Sequence, residues 1–140
     1  MDRTQLQQLA ELRVEDAEVL LAASRWAAAY YLLGYSIECA LKACVAKQFR
    51  FSPYEVPDKK VVNDFYTHDL GTLLNLSGLK SEKERRARTD SAFEINWNIV
   101  KDWNETYRYY LGGTETDARG MYEAVTNSTS GVLPWLKTQW

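Results

Sequence analysis

The chain has 140 residues, 46% of them hydrophobic, 13% aromatic and 26% charged, with a formal net charge of −2. That size suits one domain with one core, and the composition excludes a disordered chain. The small negative charge excludes a global positive field for nucleic acid, so any such binding has to be local.

Five tryptophans and nine tyrosines point to large buried or interfacial surfaces. Met1 is followed by Asp2, Arg3 and a polar stretch rather than an apolar leader, and no run approaches the roughly 20 apolar residues that span a bilayer. A cytoplasmic setting without membrane contact is therefore expected. Cys39 and Cys44 are the only cysteines; on a helix five residues rotate them by about 140°, so they are read as packing or surface thiols without a local disulfide. Two cysteines and one histidine fall short of a four-ligand zinc site, and neither a metal nor a cofactor is expected.

β-type alternation does not persist anywhere, and the pattern is all-α. The first helix is expected from Thr4, as N-cap, to about Ser24, with Leu6, Leu9, Ala17 and Leu20 on one stripe. Arg13 and Asp16 share that stripe and are read as an ion pair at its edge, the alternative being a cation aimed into a site. The second helix is expected from Arg25 to Gln48. Tyr30, Leu33, Ile37, Ala40, Leu41 and Cys44 form its core stripe. Tyr31, Tyr35, Glu38 and Lys42 cluster about 140° away. A Glu-to-Lys pair four residues apart is worth only a few tenths of a kcal/mol and does not account for the tyrosines. This side is too aromatic for solvent and too charged for a bundle interior, and it is read as a partner surface or pocket.

Between Arg50 and Thr67, Pro53, Pro57 and Asp58 mark a connection with room for a short helical turn. Thr67 is read as the cap of a third helix, with His68 in its first turn, Leu70, Leu73, Leu74 and Leu76 inward, and an end near Ser77 and Gly78. The run KSEKERRAR, Lys80 to Arg88, carries five basic residues against two glutamates, with a capping box from Ser81 to Glu84. It is read as a solvated helix face, the alternative being a nucleic-acid patch. A long helix is expected from Ser91 to Tyr110, with Phe93, Trp97, Val100, Trp103, Tyr107 and Leu111 on an aromatic stripe stopped by Gly112 and Gly113. Thr114 or Thr116 caps the next helix, with Ala118, Met121, Tyr122 and Val125. A break at Asn127 to Gly131 precedes a last helical segment in which Pro134 is tolerated near the start.

Phosphate-binding glycine loops and nucleophile elbows are absent, and any triad would have to use His68, the only histidine. Beside Asp69 that histidine is read as a capping or solvent-facing residue before a catalytic one.

The stretch AAAYYLLGYSIECALKACVAK resembles the second-helix signature of HEPN domains, in which an aromatic and aliphatic run leads into E-x-x-L-K-A. THDLGTLL is similar to that family's H-x-L-x-x-L element, NWNIVKDWNETYRYY to the W-x(4)-RY element of a bacterial subfamily, and GVLPWLKTQW to its tail. The resemblance implies one HEPN-like domain over residues 1–140, an antiparallel bundle of four to five main helices. It also implies a homodimer that handles nucleotides or RNA, in a toxin–antitoxin or defence system with a nucleotidyltransferase partner. The family's metal-independent ribonucleases use an R-x(4-6)-H motif, which this chain lacks, so no residue is assigned as catalytic.

The expected ligand-binding residues are Tyr31, Tyr35, Glu38, Lys42, His68, Trp103, Arg108 and Tyr109. An arginine beside tyrosines can stack on a base and pair with a phosphate. The alternatives are a ribonuclease toxin in which His68 and Arg108 replace the missing pair, and an interaction module that docks a nucleotidyltransferase through its aromatic side.

Overall fold

The computed structural model of the chain describes residues 1–50 and 59–140, and every regular element among them is helical. Pro53, Pro57 and Asp58 lie outside the described residues. Helix α1 spans Arg3–Ala22. Its cap is Asp2 rather than Thr4: the Asp2 carboxylate accepts from the Gln5 amide at 2.8 Å, and the Gln5 side-chain oxygen accepts from the Asp2 amide at 3.0 Å. A carboxylate followed three residues on by glutamine closes both ends of a capping box, which Thr4 cannot do from inside the helix. The buried stripe is Leu6, Ala10, Ala17 and Leu21, with Leu9 and Leu20 only half-buried. The expected stripe is turned because two alanines allow the next helix to come close. Ser36 Oγ donates to the Ala10 carbonyl at 2.6 Å. Arg13 and Asp16 form the edge ion pair as read, at 3.2 Å.

A tight turn with Ser24 in the left-handed region (φ 59°) leads into α2, Trp26–Arg50, which runs antiparallel to α1. Helix α2 is the centre of the structure, packed against α1, three of the later helices and a 3₁₀ turn. From Ser36 through Val45 every residue except Lys42 is buried. The two-sided picture from the sequence therefore holds for the core stripe but not for Glu38, which is 2% exposed. Leu33, Ile37, Ala40, Leu41 and Cys44 are buried as expected, while Tyr30 is half-buried. Full burial of a leucine or isoleucine stabilises by roughly 1.5–3 kcal/mol, so this helix anchors the core.

Helix α3, Lys59–Phe65, is the helical turn expected before the third sequence element. Helix α4, Leu70–Leu76, buries Leu70, Leu73 and Leu74 as read. Its cap is Asp69, whose carboxylate accepts from the Thr72 amide at 2.7 Å; Thr67 instead accepts from the Asp69 amide, and His68 precedes the helix. Gly78 takes φ +73° after the helix ends at Ser77, a conformation that favours glycine.

Helix α5, Lys80–Thr89, buries no residue and starts at Leu79 with no side-chain cap, so the box between Ser81 and Glu84 does not form. Helix α6 spans Ser91–Lys101 and buries Phe93, Trp97 and Val100. Asp90 joins the two: it caps α6 through the Phe93 amide and accepts from Arg86 at 3.2 Å and Ser130 at 2.8 Å. These donors hold its carboxyl below the usual carboxylate range, the Phe93 amide first among them.

The long helix expected to reach Tyr110 stops at Lys101. Asp102 and Asn104 flank the break, and Asn104 caps a 3₁₀ turn over Glu105–Tyr109 by accepting from the Thr106 amide at 3.0 Å. Short side chains that bond to nearby backbone compete with the helix at this point. Trp103 is buried but lies outside the helix, and Leu111, read as part of the stripe, is fully exposed. Helix α7, Glu115–Thr126, is capped by Thr114 as read and buries Ala118, Met121 and Val125. Asn127 accepts from the Thr129 and Ser130 amides across the expected break. Helix α8, Val132–Lys137, follows with Pro134 in its first turn, where its missing N–H leaves no helical bond unmade. Trp135 meets Phe93 edge-on at 5.2 Å and closes the core. No helix among the described residues is long and apolar enough to cross a membrane.

Candidate functional site

Glu38 is the most deeply placed charge, and two hydrogen-bond donors reach it. Lys42, one turn on along α2, donates to one carboxylate oxygen at 2.9 Å. His68 comes from the segment ahead of α4, and its Nδ1 lies 3.0 Å from both oxygens. An ionised carboxylate only accepts, so Nδ1 is the donor, which leaves Nε2 with no bonded partner among the described residues. The His68 side chain is 42% exposed. The pair is thus an imidazole oriented by a buried carboxylate, with one ring nitrogen free. It makes His68 neither a cap nor a simple solvent-facing residue.

Tyr35 stands next to this cluster. Burial, then the neighbouring Cys39 thiol and the Glu38 charge, push its hydroxyl up to about 12. Burial likewise pushes the Cys39 thiol up to about 11, with Glu38 adding to the shift. A cavity of about 200 Å³ opens here between Tyr35, Glu38, Cys39, Lys42 and Phe65. Lys42 Nζ lies 5.7 Å from the Phe65 ring. Tyr35 stacks on Tyr31 at 6.2 Å and 2°, and Tyr31 on Trp103 at 5.8 Å.

Trp103 fits because position 34 is glycine: a Cβ there would stand 2.2 Å from the indole. The indole Nε1 is buried without a hydrogen-bond partner. The ladder of Trp103, Tyr31 and Tyr35 therefore links the ionic cluster to the other end of α2.

At that end a groove runs between the start of α2, the 3₁₀ turn and the loop before α7. One chamber, about 400 Å³, is lined by Ser24, Arg25, Tyr31 and Arg108 together with Trp26, Tyr107 and Tyr110. The adjoining chamber, about 430 Å³, shares Trp26, Tyr107 and Tyr110 and adds Tyr30, Asp102 and Asp117. Tyr30 and Tyr107 pack ring to ring, their centroids 4.7 Å apart. Burial, followed by Tyr107 and the two nearby carboxylates, raises the pKa of Tyr30. Gly113 lines both chambers at φ +150°, and a Cβ there would come within 3.0 Å of the Ala27 backbone nitrogen. Only glycine lets the loop lie this close to α2.

The expected site residues are thus brought together in part. Glu38, Lys42 and His68 form one cluster, Tyr31, Tyr35 and Trp103 the ladder, and Tyr31 with Arg108 the groove. Tyr109 is exposed on the outer side, its ring 5.0 Å from the Arg108 guanidinium. Glu38 does not open into a shared cleft with Arg108. It lies seven residues beyond Tyr31, about 10 Å along the helix. The basic run of α5 is a partly exposed face with its own pairing of Arg85 to Glu82, as read. Arg25, Trp26, Tyr30, Tyr107 and Tyr110 were missed, because the expected long helix turned Tyr107 into the core and assigned Tyr30 to the core stripe. The signal was the Gly112–Gly113 pair, which marks a loop passing close to another backbone.

No group of His, Cys, Asp and Glu side chains able to hold a metal ion occurs among the described residues. The sequence matches no family model, and comparison with curated proteins and with solved structures finds no match.

Proposed function

We propose that the chain is a HEPN-type protein that binds RNA or a nucleotide without ribonuclease competence, working as a homodimer in a bacterial, cytoplasmic toxin–antitoxin or defence system. The observation that carries the binding reading is the groove at the start of α2, where Arg25 and Arg108 stand beside Trp26, Tyr31, Tyr107 and Tyr110. Guanidinium groups pair with phosphate, and aromatic rings supply stacking worth roughly 1–3 kcal/mol per base. At 400 Å³ the chamber falls in the size range of small-ligand sites. The test is fluorescence anisotropy with labelled single-stranded RNA across a salt series. Arg108→Ala is expected to weaken binding and lower the salt slope by about 0.7, the contribution of one single-strand phosphate contact. An unchanged slope removes Arg108 from that role, and no binding of RNA or nucleotides at low salt defeats the reading.

A second reading, a metal-independent ribonuclease, draws on the His68–Glu38 geometry, since Nε2 is positioned as a base whose tautomer a carboxylate sets. In it Arg108 would stabilise the transition state, an arrangement that the spacing along α2 opposes. Cleavage of RNA that vanishes in His68→Ala would favour this reading over the first. A melting shift with a nucleotidyltransferase, and none with RNA or nucleotides, would instead favour an interaction module.

A further inference from the structure

The two chambers of the groove have opposite charge. Arg25 and Arg108 line the first, whereas the second holds Asp102 and Asp117 and no lysine or arginine. Neither aspartate takes part in a salt bridge among the described residues. Their neighbours are engaged: Glu115 holds Arg119 at 2.8 Å, and the Arg119 guanidinium lies 5.4 Å from the Trp26 ring. Two unpaired carboxylates therefore face a chamber walled by Trp26, Tyr30, Tyr107 and Tyr110.

A carboxylate accepts and never donates at neutral pH, so whatever meets Asp102 or Asp117 has to present donors. The part that reaches the arginines has to carry negative charge. Between them the shared rings of Trp26, Tyr107 and Tyr110 favour a flat aromatic body. Among the four RNA bases, guanine alone has two adjacent N–H donors on its pairing edge, N1–H and the 2-amino group, which match both oxygens of one carboxylate. Adenine and cytosine place a ring acceptor beside their amine, and uracil flanks its single N–H with two carbonyls. Both of these would face the carboxylate with a lone pair.

We infer that the groove selects guanine nucleotides, with the base edge on Asp102 or Asp117, the ring between the shared aromatic walls, and the phosphate at Arg25 and Arg108. This rests on the nucleotide-binding reading and specifies the base that reading leaves open. Gly113 borders both chambers where the loop crosses α2.

The test is calorimetric titration of the native chain with GMP and with IMP, which differ only in the 2-amino group, followed by AMP, CMP and UMP. GMP is expected to bind tighter than IMP by roughly tenfold or more, the discrimination of one bidentate base contact. Asp102→Asn or Asp117→Asn should bring the GMP-to-IMP ratio towards one, with GMP losing more affinity than IMP. Arg108→Ala should weaken all five nucleotides by a similar factor. Equal affinity for GMP and IMP on the native chain would overturn guanine selection, and if Arg108→Ala still weakened both, nucleotide binding itself would stand. Failure of every nucleotide and of single-stranded RNA to bind would remove both readings together. The native GMP and IMP titrations need no variant, so a substitution that fails to fold does not blunt the test.

Discussion

Nδ1 of His68 lies 3.0 Å from both oxygens of Glu38, so a residue just ahead of α4 is tied to the buried middle of α2. Glu38 is 2% exposed, and its other partner, Lys42, is only 13% exposed. Removing the carboxylate leaves a largely buried ammonium with no counterion, whereas removing the half-exposed imidazole leaves Glu38 still bonded to Lys42. Glu38→Ala is therefore expected to cost about 3–5 kcal/mol. His68→Ala should cost about 1–3 kcal/mol. Urea unfolding of the two variants measures the difference, and equal losses would mean that Lys42 does not depend on Glu38.

Position 34 carries a packing constraint that position 120 lacks. A Cβ on Gly34 would meet the Trp103 indole at 2.2 Å, whereas one on Gly120 would find nothing within 4 Å. Gly34→Ala should destabilise by about 1–3 kcal/mol, since the indole has to move out of a filled space. In the middle of α7, Gly120→Ala should stabilise by about 0.5–1 kcal/mol through helix propensity alone. The same denaturation assay reads both, and a stabilising Gly34→Ala would contradict the described seat of Trp103.

Two buried thiols and the half-buried Tyr35 set an alkaline limit. Burial raises Cys39 from its ordinary 9.0 to about 11, Cys44 from 9.0 to about 12, and Tyr35 from 10.0 to about 12. Each keeps its proton longer in the folded chain than in the unfolded one, so the folded state binds more protons between the two values. Stability from these groups is whole below about pH 9 and is lost as pH rises towards 11 to 12. Melting temperatures recorded from pH 7 to 11 should be level at first and then fall. At pH 8 a thiol reagent should label Cys39 and Cys44 only as fast as the chain opens, because both are buried and protonated. Rapid labelling of the native chain would contradict their burial.

The helical class, the span of α2 and the cap at Thr114 were legible because each rests on local signals: spacing of apolar residues, a hydroxyl before an acidic turn, glycine after a helix. The end of α6 was not. Phe93, Trp97, Val100 and Trp103 keep helical spacing, and Trp103 is buried as that spacing demands, yet it is buried from beyond the helix. Spacing reports which residues go inward and not whether the backbone between them stays helical. Glu38 shows the other limit. Its side of the helix reads as a partner surface or pocket, and that it is closed from within the chain is not visible locally, since His68 is 30 residues away. Tyr31 and Tyr35 were recognised together because they share a side of α2, with Trp103 expected to meet them from another helix, whereas the acidic chamber was not, since Asp102 and Asp117 come together only after the loop at Gly113 folds back.

The α1–α2 hairpin is made wholly from the first 50 residues, while the helices that sheath the rest of α2 come from residues 70 onwards. During synthesis the hairpin can close before the later helices are made, since both of its helices precede them in the chain. Ile37, Leu41 and Cys44 would then wait, uncovered, for α4, α7 and α8 to be translated. The nascent chain would thus carry an open apolar flank until α8 has been made.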